Sequence, residues 1–296
     1  MRVAIVTDST ADLPPDLVRS RRITVVPLTV TIGEQSWLDG VEIQPGEFYR
    51  RLAEAGSVAT TSQPSPARFA DAYRPLLEAH DEIVSVHISA RLSGTFASAE
   101  QAVDSLGARD RVHLVDSTLA SMPLGLLVLA AARMAQDGAG GASIAEEVER
   151  IRRGTNVYFG VKTLENLARG GRIGRASALV GSILQVKPVL TIQAGEVTPL
   201  ERVRTWERAL SRIVELVRAV DTGKGVCAIV GHAVDEDSAR RIAQGLEDVA
   251  DTLLIQSLGA VVGAHAGPGT VGVGFYPAEL YPLGLRLEAG ARARNL

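Results

Sequence analysis

Ser93, Gly94 and Thr95 follow an apolar run of strand length, Glu82 to Ser89, and precede a helical pattern that opens at Phe96. Strand, small hydroxyl loop and helix start together describe one βα unit of a parallel sheet. The first N–H groups of a helix have no partner inside it, so with the Ser93 and Thr95 hydroxyls they form a ready cradle for an anion. The same residues admit a plainer role, because serine is a favoured helix cap wherever helices begin.

A second hydroxyl-rich stretch is Thr60-Thr61-Ser62-Gln63-Pro64-Ser65-Pro66, which reads as a loop stiffened by two prolines and leading into a helix over 67–78. Two further strand-like runs end in acidic and hydroxyl residues, Asp8-Ser9-Thr10 and Asp116-Ser117-Thr118. If these strands are parallel, their polar ends lie along the carboxyl edge of one sheet, where open α/β folds bind ligands. Later in the chain, Gly170-Gly171-Arg172-Ile173-Gly174 presents an arginine on a tight glycine loop, and His265 sits among Gly263, Gly267 and Gly269. A helix end accounts for Gly170, but not for the second glycine and the arginine. Uncharged hydroxyls in the first half with one arginine and one histidine in the second suit a carboxylate or phosphate held by hydrogen bonds.

The elements that must position these residues alternate between strand and helix. Val3–Val6, Ile23–Val26, Leu28–Ile32, 82–89 and Val112–Val115 read as strands; 11–19, 46–55 and 124–136 read as helices, the last apolar nearly all round and so buried. Ser143 and Glu146 read as a capping box for a helix through Arg153. The second half brings a strand over 156–161, a short helix over 162–169, another over 176–185, and a hairpin turning at Gln193-Ala194-Gly195-Glu196. A strand over 226–230 flanked by helices over 205–220 and 235–249, a strand over 252–256, and a glycine-rich closing segment follow. The expected architecture is therefore two α/β domains. Residues 1–156 hold a mainly parallel sheet and the hydroxyls; residues 157–285 form a smaller α/β sandwich containing a hairpin; the ligand site lies between them, and 286–296 is a loosely held tail.

Composition narrows the function. The chain has 296 residues, 46% of them apolar, and a net charge of −3 with only three lysines, which gives no broad basic surface for nucleic acid. No apolar run approaches the roughly eighteen residues of a membrane span, and the first residues read as a strand rather than a leader, so a soluble cytoplasmic protein is expected. The single cysteine, Cys227, lies in an apolar strand and reads as a buried structural thiol. Gly267-Pro268-Gly269-Thr270-Val271-Gly272 matches the dinucleotide fingerprint in letters, but a strand is expected to follow it where the fingerprint requires a helix. No phosphate loop, paired zinc-protease histidines or serine-hydrolase elbow is present, so neither metal nor cofactor is expected.

The whole pattern resembles the DegV family, bacterial fatty-acid-binding proteins that serve as carrier subunits for fatty acid kinase. The resemblance runs through Asp8-Ser9-Thr10-Ala11-Asp12-Leu13, Val26-Pro27-Leu28, Asp39-Gly40, Thr61-Ser62-Gln63-Pro64-Ser65, Leu92-Ser93-Gly94-Thr95, Asp116-Ser117, Gly170-Gly171-Arg172-Ile173, Lys187-Pro188 and 263–269. It implies a single long-chain fatty acid buried between two domains, with Thr61 and Ser93 holding its carboxylate and the Gly94 backbone nearby; Ser62 and Thr95 complete the expected ligand-binding set. It implies that Arg172 and His265 act near the carboxylate in phosphate transfer or kinase docking, and that Arg202 and Arg204 belong to the docking surface. Met122-Pro123 departs from the smaller residues usual there, which bears on the acyl-chain tunnel. The function implied is a carrier, itself non-catalytic, that presents the carboxylate to a separate kinase for acyl-phosphate formation and phospholipid synthesis. Two rivals stand beside it: a stand-alone enzyme acting on a small phosphorylated or carboxylated metabolite, and a module that senses fatty acid without transfer.

Overall fold

The computed structural model describes residues 2–56, 58–179 and 186–285. Its first half runs β1 (Val3–Asp8), α1 (Pro15–Ser20), β2 (Ile23–Val26), β3 (Thr29–Ile32), β4 (Gln35–Leu38), α2 (Pro45–Ala55), β5 (Ala59–Ser62), α3 (Pro66–Ala79), β6 (Glu82–His87), α4 (Thr95–Leu106), β7 (Val112–Asp116), α5 (Met122–Gln136) and α6 (Gly141–Arg152). The second half runs β8 (Asn156–Gly160), α7 (Glu165–Arg169), a 3-10 turn at Gly174–Leu179, β9 (Lys187–Gln193), β10 (Glu196–Val203), α8 (Trp206–Arg218), β11 (Val226–His232), α9 (Glu236–Gln244), β12 (Ala250–Ser257), α10 (Ala260–Ala266) and β13 (Val271–Pro277).

The architecture is mixed α/β with one main sheet in each half. β2-β1-β6-β7 form a four-stranded sheet with every pairing parallel, so the carboxyl ends of β1, β6 and β7 do share one edge. β10-β9-β8-β13-β11-β12 form a six-stranded sheet, antiparallel except where β11 meets β12, with the expected hairpin joining β9 to β10. Asn156, beside which the sequence divides the chain, is the first residue of this sheet.

α5 joins the two main sheets by packing. Its residues 122–132 are buried on every side, with β1 and β6 against one flank and β11 and β13 against the other. One apolar core consequently runs through both halves, from Ile5 and Val84 across Leu126 and Leu127 to Ile229 and Tyr276. The outer face of the six-stranded sheet is covered by α8 and α9, whose Leu210, Ile213, Val217 and Ile242 share a second core with Val230 of β11 and Val273 of β13.

Several expectations change. Thr60 to Ser62 do not lie in a loop but in β5, which pairs antiparallel with β3 in a third, small sheet ordered β4-β3-β5. Threonine favours the pleated backbone, and Thr60 faces Thr31 across the ladder. Ser143 and Glu146 make no capping box: α6 begins earlier, at Gly141, with Gly140 as its cap, and the Glu82 carboxylate accepts the Gly141 N–H at 2.7 Å. The glycine-rich closing segment contains a helix, α10, so His265 sits in a last helical turn and not on a loop. The helix expected over 176–185 lies partly outside the described residues, and the tail 286–296 lies wholly outside them; the described part of the former belongs to the 3-10 turn. Gly267 to Gly272 lead from α10 into β13, helix before strand. Cys227 is fully buried. Among the described residues no helix is long and apolar enough to cross a membrane.

Candidate functional site

A cavity of about 790 Å³, counting its mouth, lies between the carboxyl edge of the parallel sheet and the inner face of the six-stranded sheet. The first half contributes the loops after β1, β6 and β7 (Thr10; Ile88, Leu92 and Ser93; Ala120 to Met122) together with Leu28 and Thr61. The second half contributes Val157 and Phe159 of β8, Leu167, Arg172, Ile192, Val197, Leu258 just before α10, and one flank of α10 from Val261 to Ala266.

Polar side chains are gathered unevenly around this apolar wall. Thr61, Ser93, Arg172 and His265, drawn from four separate stretches of sequence, all line it. Thr61 Oγ1 is 2.8 Å from His265 Nε2, which joins β5 to α10. Arg172 is held from both sides: its Nε donates to the Leu92 carbonyl at 3.1 Å and its Nη1 to the Gly170 carbonyl at 2.7 Å. The first of these bonds ties the arginine to the residue preceding Ser93, so the cation and the hydroxyl share one end of the cavity. Gly170 itself makes room for the histidine, since a Cβ there would fall 2.2 Å from His265 Nδ1.

The remaining polar wall is already committed to the protein. Thr10 Oγ1 donates to Asp8 at 2.5 Å, Ser121 Oγ to Asp12 at 2.5 Å, and Thr270 Oγ1 to the Ala266 and Gly267 carbonyls. Their protons are not available to a ligand, which leaves the rest of the cavity apolar in effect.

Not every expected residue lies in the wall. Thr95 is buried behind Ser93, its Oγ1 2.8 Å from Ser93 Oγ and its N–H donating to that same oxygen. Ser93 therefore braces the start of α4 and faces the cavity at once. Gly94 caps α4, and the space above it holds the Gln63 side chain, which a Cβ at position 94 would meet at 2.3 Å. Ser62 is exposed at the end of β5, opposite Thr29, and is outside the lining. Arg202 and Arg204 are exposed at the end of β10 and just beyond it. Among the described residues, no cluster of three or more histidine, cysteine or acidic side chains could hold a metal ion.

Electrostatics follow from burial. Desolvation, reinforced by the nearby Arg172 cation, lowers the His265 imidazole from its ordinary 6.5 to about 4, so it is neutral near pH 7. Its Nδ1 is buried without a hydrogen-bond partner. At the other end of α10 two carboxylates receive the first N–H groups of the segment: Asp12 accepts from Gly259 at 2.9 Å and Asp39 from Ala260 at 3.0 Å. Burial raises Asp12 well above the carboxylate range and lifts Asp39 to about 6. Asp8, at the end of β1, accepts from the Ile88 N–H and pairs with His87 Nδ1, each at 3.0 Å, which fixes the ends of β1 and β6 together.

Sequence reasoning missed the α10 flank and the Leu92 carbonyl that positions Arg172. The spacing of Leu258, Val261, Val262, His265 and Ala266 carries a helical signal. It is short and framed by glycines, which hid it.

Comparison with known proteins finds relatives by sequence and by fold. A family model described as an uncharacterised protein of the DegV family matches residues 2–278. A DegV domain-containing protein of Streptomyces coelicolor is 43% identical over 276 residues, covering 92% of this chain and 97% of that protein. Among solved structures, a fatty-acid-binding DegV family protein from Thermus thermophilus superposes with a TM-score of 0.88 at 41% identity, covering 94% of this chain and all of that one. DegV of Bacillus subtilis, a fatty acid binding protein, does so with a TM-score of 0.84 at 33% identity, covering 93% of this chain and 99% of its own.

Proposed function

This chain belongs to the DegV family, and from that premise we propose that it is a fatty-acid-binding carrier: it holds one long-chain fatty acid in the central cavity and offers the carboxylate to a separate kinase. The observation that carries the proposal is the polarity of the cavity. Thr61, Ser93, Arg172 and His265 line one end, while the hydroxyls elsewhere in the wall are turned into the protein.

Affinity and orientation then have separate sources. About fifteen buried methylenes at ~0.8 kcal/mol each supply roughly 12 kcal/mol before the costs of association. Each hydrogen bond to the charged head adds about 1.5–3 kcal/mol, enough to fix which end faces outward. Neutral His265 has one partnered nitrogen, Nε2, and one buried orphan, Nδ1. A proton on Nε2 avoids burying an unpaired N–H; that nitrogen then donates to Thr61 Oγ1, and the Thr61 hydroxyl is left to donate to a carboxylate. The Arg172 guanidinium supplies positive charge where a phosphoryl group would arrive. The chain's own residues thus bind, orient and keep water from the alkyl tail, and the nucleotide chemistry belongs to the partner. On this reading the protein works in the cytoplasm, supplying acyl phosphate toward phospholipid synthesis.

The test is to load the purified protein with hexadecanoate, add ATP and a bacterial fatty acid kinase, and trap acyl phosphate with hydroxylamine. Hydroxamate that forms with both proteins and with neither alone supports the carrier role. Turnover of a short carboxylated metabolite by this chain alone, with no alkyl acid bound, would favour an enzyme instead.

A further inference from the structure

The wall of the cavity has a direction. α10 carries His265 in its last turn, and Leu258 lies just before its first, so the two are separated along the wall by about 10 Å of helical rise. Met122 meets Leu258 at that remote end. A Cβ placed on Gly231 of β11 would fall 2.5 Å from Met122 Sδ and 2.7 Å from Leu258 Cδ2, so both side chains crowd the same small hollow in the sheet. Val157 closes it from β8, pairing with Gly274, whose missing side chain lets the backbone of Met122 and Pro123 approach.

Met122 is also held there by unusual backbone. Ser121, just before it, has a left-handed φ of 64°, sparsely populated by residues other than glycine. The conformation is pinned by the Ser121 N–H on the Thr10 carbonyl at 2.8 Å and the Ser121 hydroxyl on Asp12. Met122 is almost wholly buried yet lines the cavity. Its unbranched thioether fills irregular space and moves at low cost.

We propose that Met122 is the end-stop of the cavity and sets the longest alkyl chain the site accepts, with Gly231 providing the recess into which its sulfur withdraws. The proposal rests on the fatty-acid reading above and adds the residue that measures the chain. Met122→Ala removes three heavy atoms from the stop and lengthens the cavity. Gly231→Ala fills the recess, drives the thioether inward and shortens it.

The experiment is competition binding of a homologous series of straight-chain saturated fatty acids to the full chain and the two variants, with thermal unfolding as the check on folding. Met122→Ala is expected to move the optimum to longer acids, by about two carbons, with affinity rising about fourfold per methylene newly buried. Gly231→Ala is expected to move it to shorter ones, and the double variant back toward the parent. The two opposite shifts cannot come from general loosening, and either folded variant alone keeps the test decisive. An unchanged order of preference in a folded variant overturns the role of Met122 while leaving fatty-acid binding intact. Failure of the parent protein to bind any acid of the series overturns both.

Discussion

Thr61 and His265 stand 204 positions apart in the chain and 2.8 Å apart in space. The contact ties the three-stranded sheet of the first half to α10 in the second, at the end of the cavity where Ser93 and Arg172 also lie. Any ligand that reaches these groups is in contact with both halves of the molecule.

The proposed carrier function has the Thr61 and Ser93 hydroxyls hold the head group, so Thr61→Ala and Ser93→Ala are each expected to weaken hexadecanoate binding about tenfold to a hundredfold, the worth of one hydrogen bond to a charged acceptor. Hexadecanol, lacking the charge, should lose far less. Titration calorimetry with the acid and a fluorescent displacement assay with the alcohol separate the two. Equal losses for acid and alcohol would place these hydroxyls elsewhere than at the head group.

His265 should titrate near pH 4 in the unliganded protein, seen in the imidazole signals of an NMR titration. Burial is the main cause and Arg172 the second, so Arg172→Ala should move the titration upward, and so should a bound carboxylate, which favours the imidazolium. The linkage has a definite sign. The unfolded chain takes up this proton near pH 6.5 and the folded chain near 4, so the histidine's contribution to stability falls as pH drops between those values and levels off below.

Asp39 carries the opposite linkage. Its folded carboxyl sits near 6, above the ordinary 3.8, so its contribution is full in acid and is lost as pH rises through 6. Asp39→Asn keeps an oxygen for the Ala260 N–H and removes a buried charge. It should stabilise the protein by about 3 kcal/mol at about pH 8, and by little below about pH 4. Urea unfolding at both pH values checks this, and a variant destabilised equally at both would show that the carboxylate is needed as a charge.

Gly94 is constrained by Gln63, whose amide occupies the space a Cβ would take and donates to Ser98 Oγ at 3.2 Å. Gly94→Ala should therefore swing Gln63 away and disturb the junction between β5 and α4, weakening fatty-acid binding. Combining it with Gln63→Gly should recover part of the loss. A double-mutant cycle on binding and melting temperature reads the coupling, and strictly additive effects would contradict it.

The parallel sheet and the hydroxyl loops were legible in the sequence because each is a local pattern. β6, the Ser93 loop and α4 follow one another without interruption, and repetition of acidic and hydroxyl residues after β1 and β7 marks a shared edge. β5 was harder to see. Thr60 to Ser62 look like loop residues until β3 pairs with them, and that partner lies about thirty positions away. α10 was hidden by its length of seven residues and its glycine borders. The placement of Arg172 was beyond local pattern altogether, because it depends on the carbonyl of Leu92 reached across the cavity. Ser62 illustrates the converse: its neighbour Thr61 lines the wall, and strand alternation turns Ser62 outward.

The most direct measurement is gentle denaturation of the purified protein, followed by mass spectrometry of what it releases and by titration of the delipidated, refolded chain with hexadecanoate. One long-chain fatty acid per chain, and saturable rebinding at the same ratio, is the expected result. A chain that releases no alkyl acid and takes none up would contradict the proposal that the central cavity holds a lipid.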